Sequence, residues 1–344
     1  MNRPRAGLIL IAGAALCVIL AVVAFSPASP SAGEAVIYTS VDREYAEPVL
    51  AVFENETEIR VRAVYDVEAA KTTGLVNRLL AERGAPQADV FWSGEVVQTV
   101  LLAEQGVLDV YRPAIADGLP SRYRDPGGRW TAFGGRVRVL LVDPQAVDGA
   151  ARVDSVLDLV DGTVPAGRTA IALPLFGTSA AHAAALYATL GEDGARTFFG
   201  RLRDGGARVV DGNAAVRDLV AGGQSAVGLL DSDDASVALT RNPRLRIVVP
   251  DQEGMGAFVV PNTVGLVAGG PHPSTGRRLV DYLLSPGVEG QLVAAGWVHV
   301  PSRPDQPPPA NLDLSHILSM NISYQECAAH HAQAQRDLSG FYLT

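Results

Sequence analysis

Gly228-Leu-Leu-Asp-Ser-Asp-Asp-Ala235 is the stretch on which the reading of this chain turns. The apolar run from Ala226 to Leu230 has the length and flanks of a short buried strand. It empties into Asp231, Asp233 and Asp234, and Asp is a poor strand former but a good turn and N-cap residue. The apolar positions Val237, Ala238 and Leu239 then predict a helix beginning near Ser232 or Asp233. A strand ending in acids at a helix start, in an α/β chain, lies at the carboxyl edge of a sheet, where open α/β sheets bind ligands. Capping of orphan helix N–H groups explains one of these aspartates, or two. Three so close together repel one another, which keeps a cation or a cationic group open as their partner.

Working outward, the same arrangement recurs. Val36 to Thr39 reads as a strand, and Ser40 and Asp42 can cap the amphipathic segment Tyr45 to Phe53. Ile59 to Val64 alternates as a second strand, Ala69 to Arg83 follows a helical pattern, and Ala88 to Trp92 is a third strand. That strand also ends in small polar residues and an acid, Ser93-Gly-Glu95, before a helix that stops at Gln105-Gly106. Strands separated by helices mean βα units and a mainly parallel sheet. Asp42, Glu95 and the Asp231 to Asp234 group thus share one structural situation, capping residues singly and a converging set together.

Gly134-Gly-Arg-Val-Arg-Val-Leu-Leu-Val142 is a long strand pattern with glycines at its entry, suited to crossing between domains. Arg136 and Arg138 share one face by strand periodicity and are candidate anion contacts, the alternative being ordinary surface arginines. Ala170 to Ala180 is a strand, a turn and the start of an Ala-rich helix running through Leu190. Gly177, Thr178 and Ser179 stand at its N-terminus, where N–H groups and hydroxyls bind an anion or simply cap the helix. His182, one turn in, reads as a packed helix residue. Ala207 to Val210 is a strand, Asp211-Gly-Asn213 a turn, and a helix then runs to Gly222. Beyond Asp251, Gly256 to Val267 reads as a return strand, Ser274 to Leu284 as a helix, residues 301–310 as an extended proline-rich segment, and Leu314 to Tyr342 as a closing helix.

The chain of 344 residues suits two domains, and 48% apolar content supplies two cores. A formal charge of −9 argues against nucleic-acid partners. Cys17 and Cys327 belong to no CxxC pair, so neither a zinc site nor a disulfide framework is indicated. Arg3 and Arg5 precede a small and apolar run from Leu8 to Phe25, then a Ser/Pro/Ala-rich spacer to Ala32. This is the layout of an export signal, and residues 1–35 read as a signal peptide or an N-terminal membrane anchor. Cys17 follows Leu16, bulkier than the residue a lipidation site prefers. Internal repeats, a phosphate loop, a GxSxG elbow and an HExxH motif are absent from the sequence.

Several phrases together resemble the bacterial ABC-transporter solute-binding proteins of the ferric-ion type. They are Val36-Ile-Tyr-Thr-Ser40, Ala88-Asp-Val-Phe-Trp-Ser-Gly-Glu95, Gly135-Arg-Val-Arg-Val139, Pro174-Leu-Phe-Gly-Thr-Ser179, Gly228 to Ala235 and Pro261-Asn-Thr-Val264, with Pro271-His-Pro and Asp281 to Pro286 beside them. The resemblance implies an α/β, two-lobed periplasmic-binding-protein fold with mainly parallel central sheets and hinge strands. Residues 36–137 and 256–300 would form lobe 1, and 138–255 and 301–344 lobe 2 with the C-terminal helix. It also implies a monomer, periplasmic or tethered to the outer face of the cytoplasmic membrane, that serves an ABC permease and ATPase.

Ferric-binding members place a His after the first strand, a Glu after the third and a Tyr-Tyr pair before the return. Here Asp42, Gly94 or Glu95, and Asp233-Asp234 stand there. The metal ligands so implied are Asp42, Glu95, Asp233 and Asp234, with Ser40 and Asp231 beside them in the ligand site. The family's anion-binding helix start resembles Gly177-Thr-Ser-Ala180, and its cleft arginine matches Arg138. Oxygen donors suit Fe³⁺ or another hard cation with a synergistic anion. They also suit an organic ammonium, as in an aminoalkylphosphonate or a thiamine-like cation, a reading placed second to iron or another metal. A membrane-tethered sensor is a further reading. Enzyme chemistry is not expected, since no nucleophile–base pair can be identified and no cofactor is called for.

Overall fold

The computed structural model describes residues 33–66, 73–147, 152–310, 312–314 and 316–343. The expected signal or anchor and Cys17 lie outside the described residues. From the N-terminus, β1 (Glu34–Thr39), α1 (Arg43–Thr57), β2 (Arg60–Tyr65), α2 (Thr73–Ala81), β3 (Val90–Ser93) and α3 (Val97–Glu104) form the first βα series. After β4 (Thr131–Val142) come β5 (Thr169–Ala172), α4 (Gly177–Asp204), β6 (Arg208–Val210), α5 (Asn213–Ala221), β7 (Val227–Asp231) and α6 (Ser232–Arg241). β8 (Arg246–Val248), β9 (Val259–Leu266), α7 (Pro273–Leu283), α8 (Pro286–Ala294) and α9 (Tyr324–Tyr342) complete the chain.

The strands form one curled sheet in the order β2-β1-β3-β9-β4-β7-β5-β6, with β8 also on β4. The flanks are parallel: β1 pairs with β2 and β3, and β5 with β6 and β7. The centre is antiparallel, because β4 and β9 are the strands that cross and return. β4 is buried along its whole length and divides its partners. Thr131 to Val137 pairs with β9, and Arg138 to Val142 with β7. The register shifts between Phe133 and Gly135. Gly134 has φ 42°, and a Cβ there would come within 2.9 Å of the Val298 methyls, so only glycine is accommodated at this entry.

The core follows this division. One cluster, including Phe53, Trp92, Phe133, Leu279 and Trp297, fills the outer face of the first half. Another, including Val139, Leu141, Ala170, Val216 and Leu230, fills the corresponding face of the second. A third, from Phe91 through Trp130 and Phe258 to Tyr187 and Leu338, joins the halves. α9 packs along α4 and also touches α3, so it belongs to that joining layer. It begins at Tyr324 rather than Leu314, where Ser323 and Glu326 form a capping box of the kind worth about 0.5–2 kcal/mol. α4 kinks at Gly191 (φ 74°), close to its expected end, and then continues to Asp204. Among the described residues no helix is long and apolar enough to cross a membrane.

Candidate functional site

Every βα connection that follows a parallel strand delivers a helix start to the carboxyl edge of the sheet. α1, α3, α4, α5 and α6 therefore begin around one small cavity of about 50 Å³. Ser40, Asp42, Gly94 and Glu95 reach it from the β1 and β3 ends, and Gly177 to Ser179, Asn213 and Asp231, Asp233 and Asp234 from the β5, β6 and β7 ends. Arg136, on the crossing strand, forms its floor. Helix N-termini carry partial positive charge, which stabilises carboxylates placed in their first turns.

Asp231 anchors the arrangement. It ends β7 directly opposite Arg138 on β4 and is fully buried. Its Oδ1 accepts from Arg138 Nη1 at 2.8 Å. Its Oδ2 accepts from Thr178 Oγ1 at 2.8 Å and Asn213 Nδ2 at 3.0 Å, and lies 3.1 Å from Arg136 Nη1. Burial alone would raise this carboxyl, but the charges of Arg136 and Arg138 outweigh it and hold Asp231 below the usual carboxylate range.

The neighbouring acids are engaged in different ways. Asp233 Oδ2 lies 3.5 Å from Arg136 Nη1, and Asp234 Oδ1 accepts from Arg217 Nη1 at 3.0 Å. Burial, then the charges of Asp233 and Asp231, push Asp234 up to about 7. Glu95 turns its carboxylate back on its own helix, accepting from the N–H groups of Val97 at 2.8 Å and Gln98 at 3.0 Å. Burial pushes it up to about 7 as well. Ser40 bonds to Ser93 and accepts from the Gly94 N–H at 3.1 Å, fixing the β3 turn. Asp42 sits at the N-cap of α1 and its side chain does not cap that helix.

The expected metal residues Asp42, Glu95, Asp233 and Asp234 all line the cavity, yet they do not assemble as a metal cluster. Among the described residues no group of three or more His, Cys, Asp or Glu side chains is arranged to hold a metal ion. The cause is local: Glu95 is taken by helix N–H groups, Asp234 by Arg217 and Asp233 by Arg136. Arginines of the same chain offset part of the repulsion expected among three close aspartates, and the remainder helps hold Asp234 up to about 7.

Arg138 does not reach the cavity wall. It is 1% exposed, and besides Asp231 it donates to Asn213 Oδ1 at 2.9 Å and the Leu229 carbonyl at 3.3 Å. Expected as an anion contact, its guanidinium is engaged behind the cavity, against Asp231, Asn213 and the Leu229 carbonyl. Arg136 is the arginine in the wall. Its Nη2 donates to the Gly94 carbonyl at 2.6 Å, and its guanidinium carbon lies 3.9 Å from the Trp297 ring centre. On the opposite side, α4 and α5 start at Phe176 and Gly212 with no side-chain cap on either. Thr178, expected to cap or to meet an anion, spends its hydroxyl proton on Asp231.

Sequence reading missed three contributors. Asn213 looked like a turn residue, but bonds both Arg138 and Asp231. Trp297 supports Arg136 from a distant segment with no signal in its neighbours. His299 is buried between Ser232 and Ser236 at 3.2 and 3.3 Å, bracing the first turn of α6, and burial pushes it down to about 4. His182 stacks on Phe258 at 5.6 Å and burial pushes it down to about 3, as a neutral packed residue.

The family model for bacterial extracellular solute-binding proteins matches residues 36–298. Iron uptake protein A1 of Synechocystis sp. is 24% identical over 261 residues, covering 72% of this chain and 70% of that protein. Among solved structures, the ferric binding protein from Campylobacter jejuni superposes with a TM-score of 0.81 at 16% identity, over 90% of this chain and 99% of its own. Iron-bound HitA from Pseudomonas aeruginosa gives 0.78 at 19% identity, over 89% and 99%. AfuA from Actinobacillus pleuropneumoniae, with exogenous fructose-6-phosphate bound, gives 0.78 at 20% identity, over 90% and 98%. These likenesses establish the two-lobed binding-protein fold, and the chain belongs to the bacterial extracellular solute-binding proteins.

Proposed function

We propose that this bacterial extracellular solute-binding protein captures a small polar organic solute in the cavity between its two halves and presents it to an ABC permease and ATPase. The observation that carries the reading is the two-sided cavity itself. Asp42, Asp233 and Asp234 line one side, where an ammonium group would share Asp233 and Asp234 with Arg136 and Arg217, while the uncapped starts of α4 and α5 offer N–H donors to an anionic end. A zwitterion such as an aminoalkylphosphonate has that layout. A cavity of about 50 Å³ has room for a water or two, so the solute enters through an opening of the halves about β4 and β9.

The names of the relatives favour a second reading, uptake of ferric iron with an accompanying anion. Mass spectrometry of the gently isolated protein, followed by calorimetry with an aminoalkylphosphonate and with ferric citrate, separates the two. Saturable binding of ferric citrate alone would replace the first reading by the second. Small-angle scattering with and without the solute tests the opening, and an unchanged radius of gyration would count against it.

A further inference from the structure

We infer that Arg136 fills, with a group belonging to the chain, the cation position of this cleft, so that the site selects an organic solute over a bare hard cation. The inference rests on the cavity being the ligand site and names the class of solute it takes. Two carboxylate oxygens, Oδ2 of Asp231 and Oδ2 of Asp233, converge on a single atom, Nη1 of Arg136, at 3.1 and 3.5 Å. On the other side Nη2 meets the carbonyl oxygen of Gly94 at 2.6 Å. Two carboxylates and a backbone carbonyl around one positive centre form the kind of oxygen donor set that hard cations take. Here the positive centre is a guanidinium.

That guanidinium is fixed in place. Arg136 is 5% exposed, the Trp297 ring supports it at 3.9 Å, and its strand is the one on which both halves of the sheet are built. It keeps its charge at every working pH. A metal ion arriving at this point meets a desolvated like charge and finds its donors engaged. An organic solute brings an anionic group to the positive charge of Arg136 and shares the acids beside it with that guanidinium. Gly94 belongs to the β3 turn and the two aspartates to the β7 turn, so Arg136 also joins the two walls as a bound cation would.

Terbium(III) alone is the probe, a hard cation whose emission is excited through nearby indole and phenol rings. Trp297 and Tyr45, with ring centres 4.8 Å apart, lie beside the position. The full chain is titrated as wild type, Arg136→Gln and Arg136→Lys. Arg136→Gln is expected to gain saturable sensitised emission at least tenfold tighter than wild type, and to lose it again when Asp233→Asn is added. Arg136→Lys should behave as wild type. Equal affinities in wild type and Arg136→Gln, or no binding by a folded Arg136→Gln, overturn the inference. Should Arg136→Gln not fold, Arg136→Gln/Asp231→Asn relieves the buried carboxylate, and the same gain over Asp231→Asn alone is required. A wild type that already binds terbium at a site abolished by Asp233→Asn overturns the inference while leaving solute capture intact. Failure to find any organic solute sinks solute capture and leaves the terbium result standing.

Discussion

The guanidinium carbon of Arg136 sits 3.9 Å from the ring centre of Trp297. The same indole donates from Nε1 to Asn262 Oδ1 at 2.8 Å, and Asn262 Nδ2 donates to the Gly134 carbonyl at 3.1 Å. One aromatic residue thus ties the floor of the cavity to the glycine at the entry of β4. Trp297→Phe keeps a ring under the cation but orphans a buried amide oxygen, at a cost of about 1–3 kcal/mol. Trp297→Ala loses the ring too, and a large buried aromatic truncated to alanine costs about 3–5 kcal/mol. Chemical denaturation should rank them in that order, and a Trp297→Phe as stable as wild type would dismiss the hydrogen-bond relay.

Arg138 and Asp231 form a cross-strand ion pair at 2.8 Å with both partners buried. Removing one member of such a pair costs about 3–5 kcal/mol because the other charge stays buried. Arg138→Met should therefore lower the melting temperature strongly and change solute affinity little. A large loss of affinity at unchanged stability would place that guanidinium in contact with the solute after all.

Asp233 separates binding from capping. The N-cap of α6 is Asp231, and Asp233 in the first turn has its Oδ2 3.5 Å from Arg136 Nη1, so Asp233→Asn should lower ligand-free stability through that ion pair and not through a lost cap. Loss of one partner from a desolvated charge pair typically costs about 2–5 kcal/mol of binding, a weakening of more than tenfold. Calorimetry with the co-purified solute checks this. Equal affinities would remove Asp233 from the site.

Glu95 gives a pH prediction. Burial pushes its carboxyl from the ordinary 4.5 up to about 7, against the lowering pull of the Gln98 and Val97 N–H groups and of Arg136. The folded chain then holds this proton more tightly than the unfolded chain. Its contribution to stability is complete below the unfolded value of 4.5 and is lost as pH rises through about 7, a loss of roughly 3 kcal/mol. Glu95→Gln should make the profile shallower across that interval, with the remaining slope carried by Asp234, which burial and the charges of Asp233 and Asp231 also push up to about 7. Parallel profiles for wild type and variant, measured by denaturation at each pH, would exclude Glu95 as the source.

Much of the scaffold was legible because it rests on local pattern. The apolar run before Asp231, the glycines before Arg136 and the small residues at Gly177 marked strand ends and helix starts close to where they occur. What periodicity does not encode is which side chains meet. Arg136 and Arg138 share a strand face, yet one reaches the cavity and the other is buried behind it. That difference arises from register: Arg138 lies opposite Asp231, while Arg136 lies at the level of β9 and points past Gly94. The partners of the acids come from positions remote in sequence, so a cluster that looked uncompensated along the chain is compensated in space.

β4 begins in one half of the sheet and ends in the other, and the arginine that meets the cavity lies just before the changeover. Under the proposed opening about β4 and β9, recognition and motion share one backbone. A lineage that adapts this pocket to a new nutrient by altering Arg136 would alter, in the same step, how readily the molecule gapes and how quickly it lets go. Selectivity and delivery rate would be inherited together rather than tuned apart.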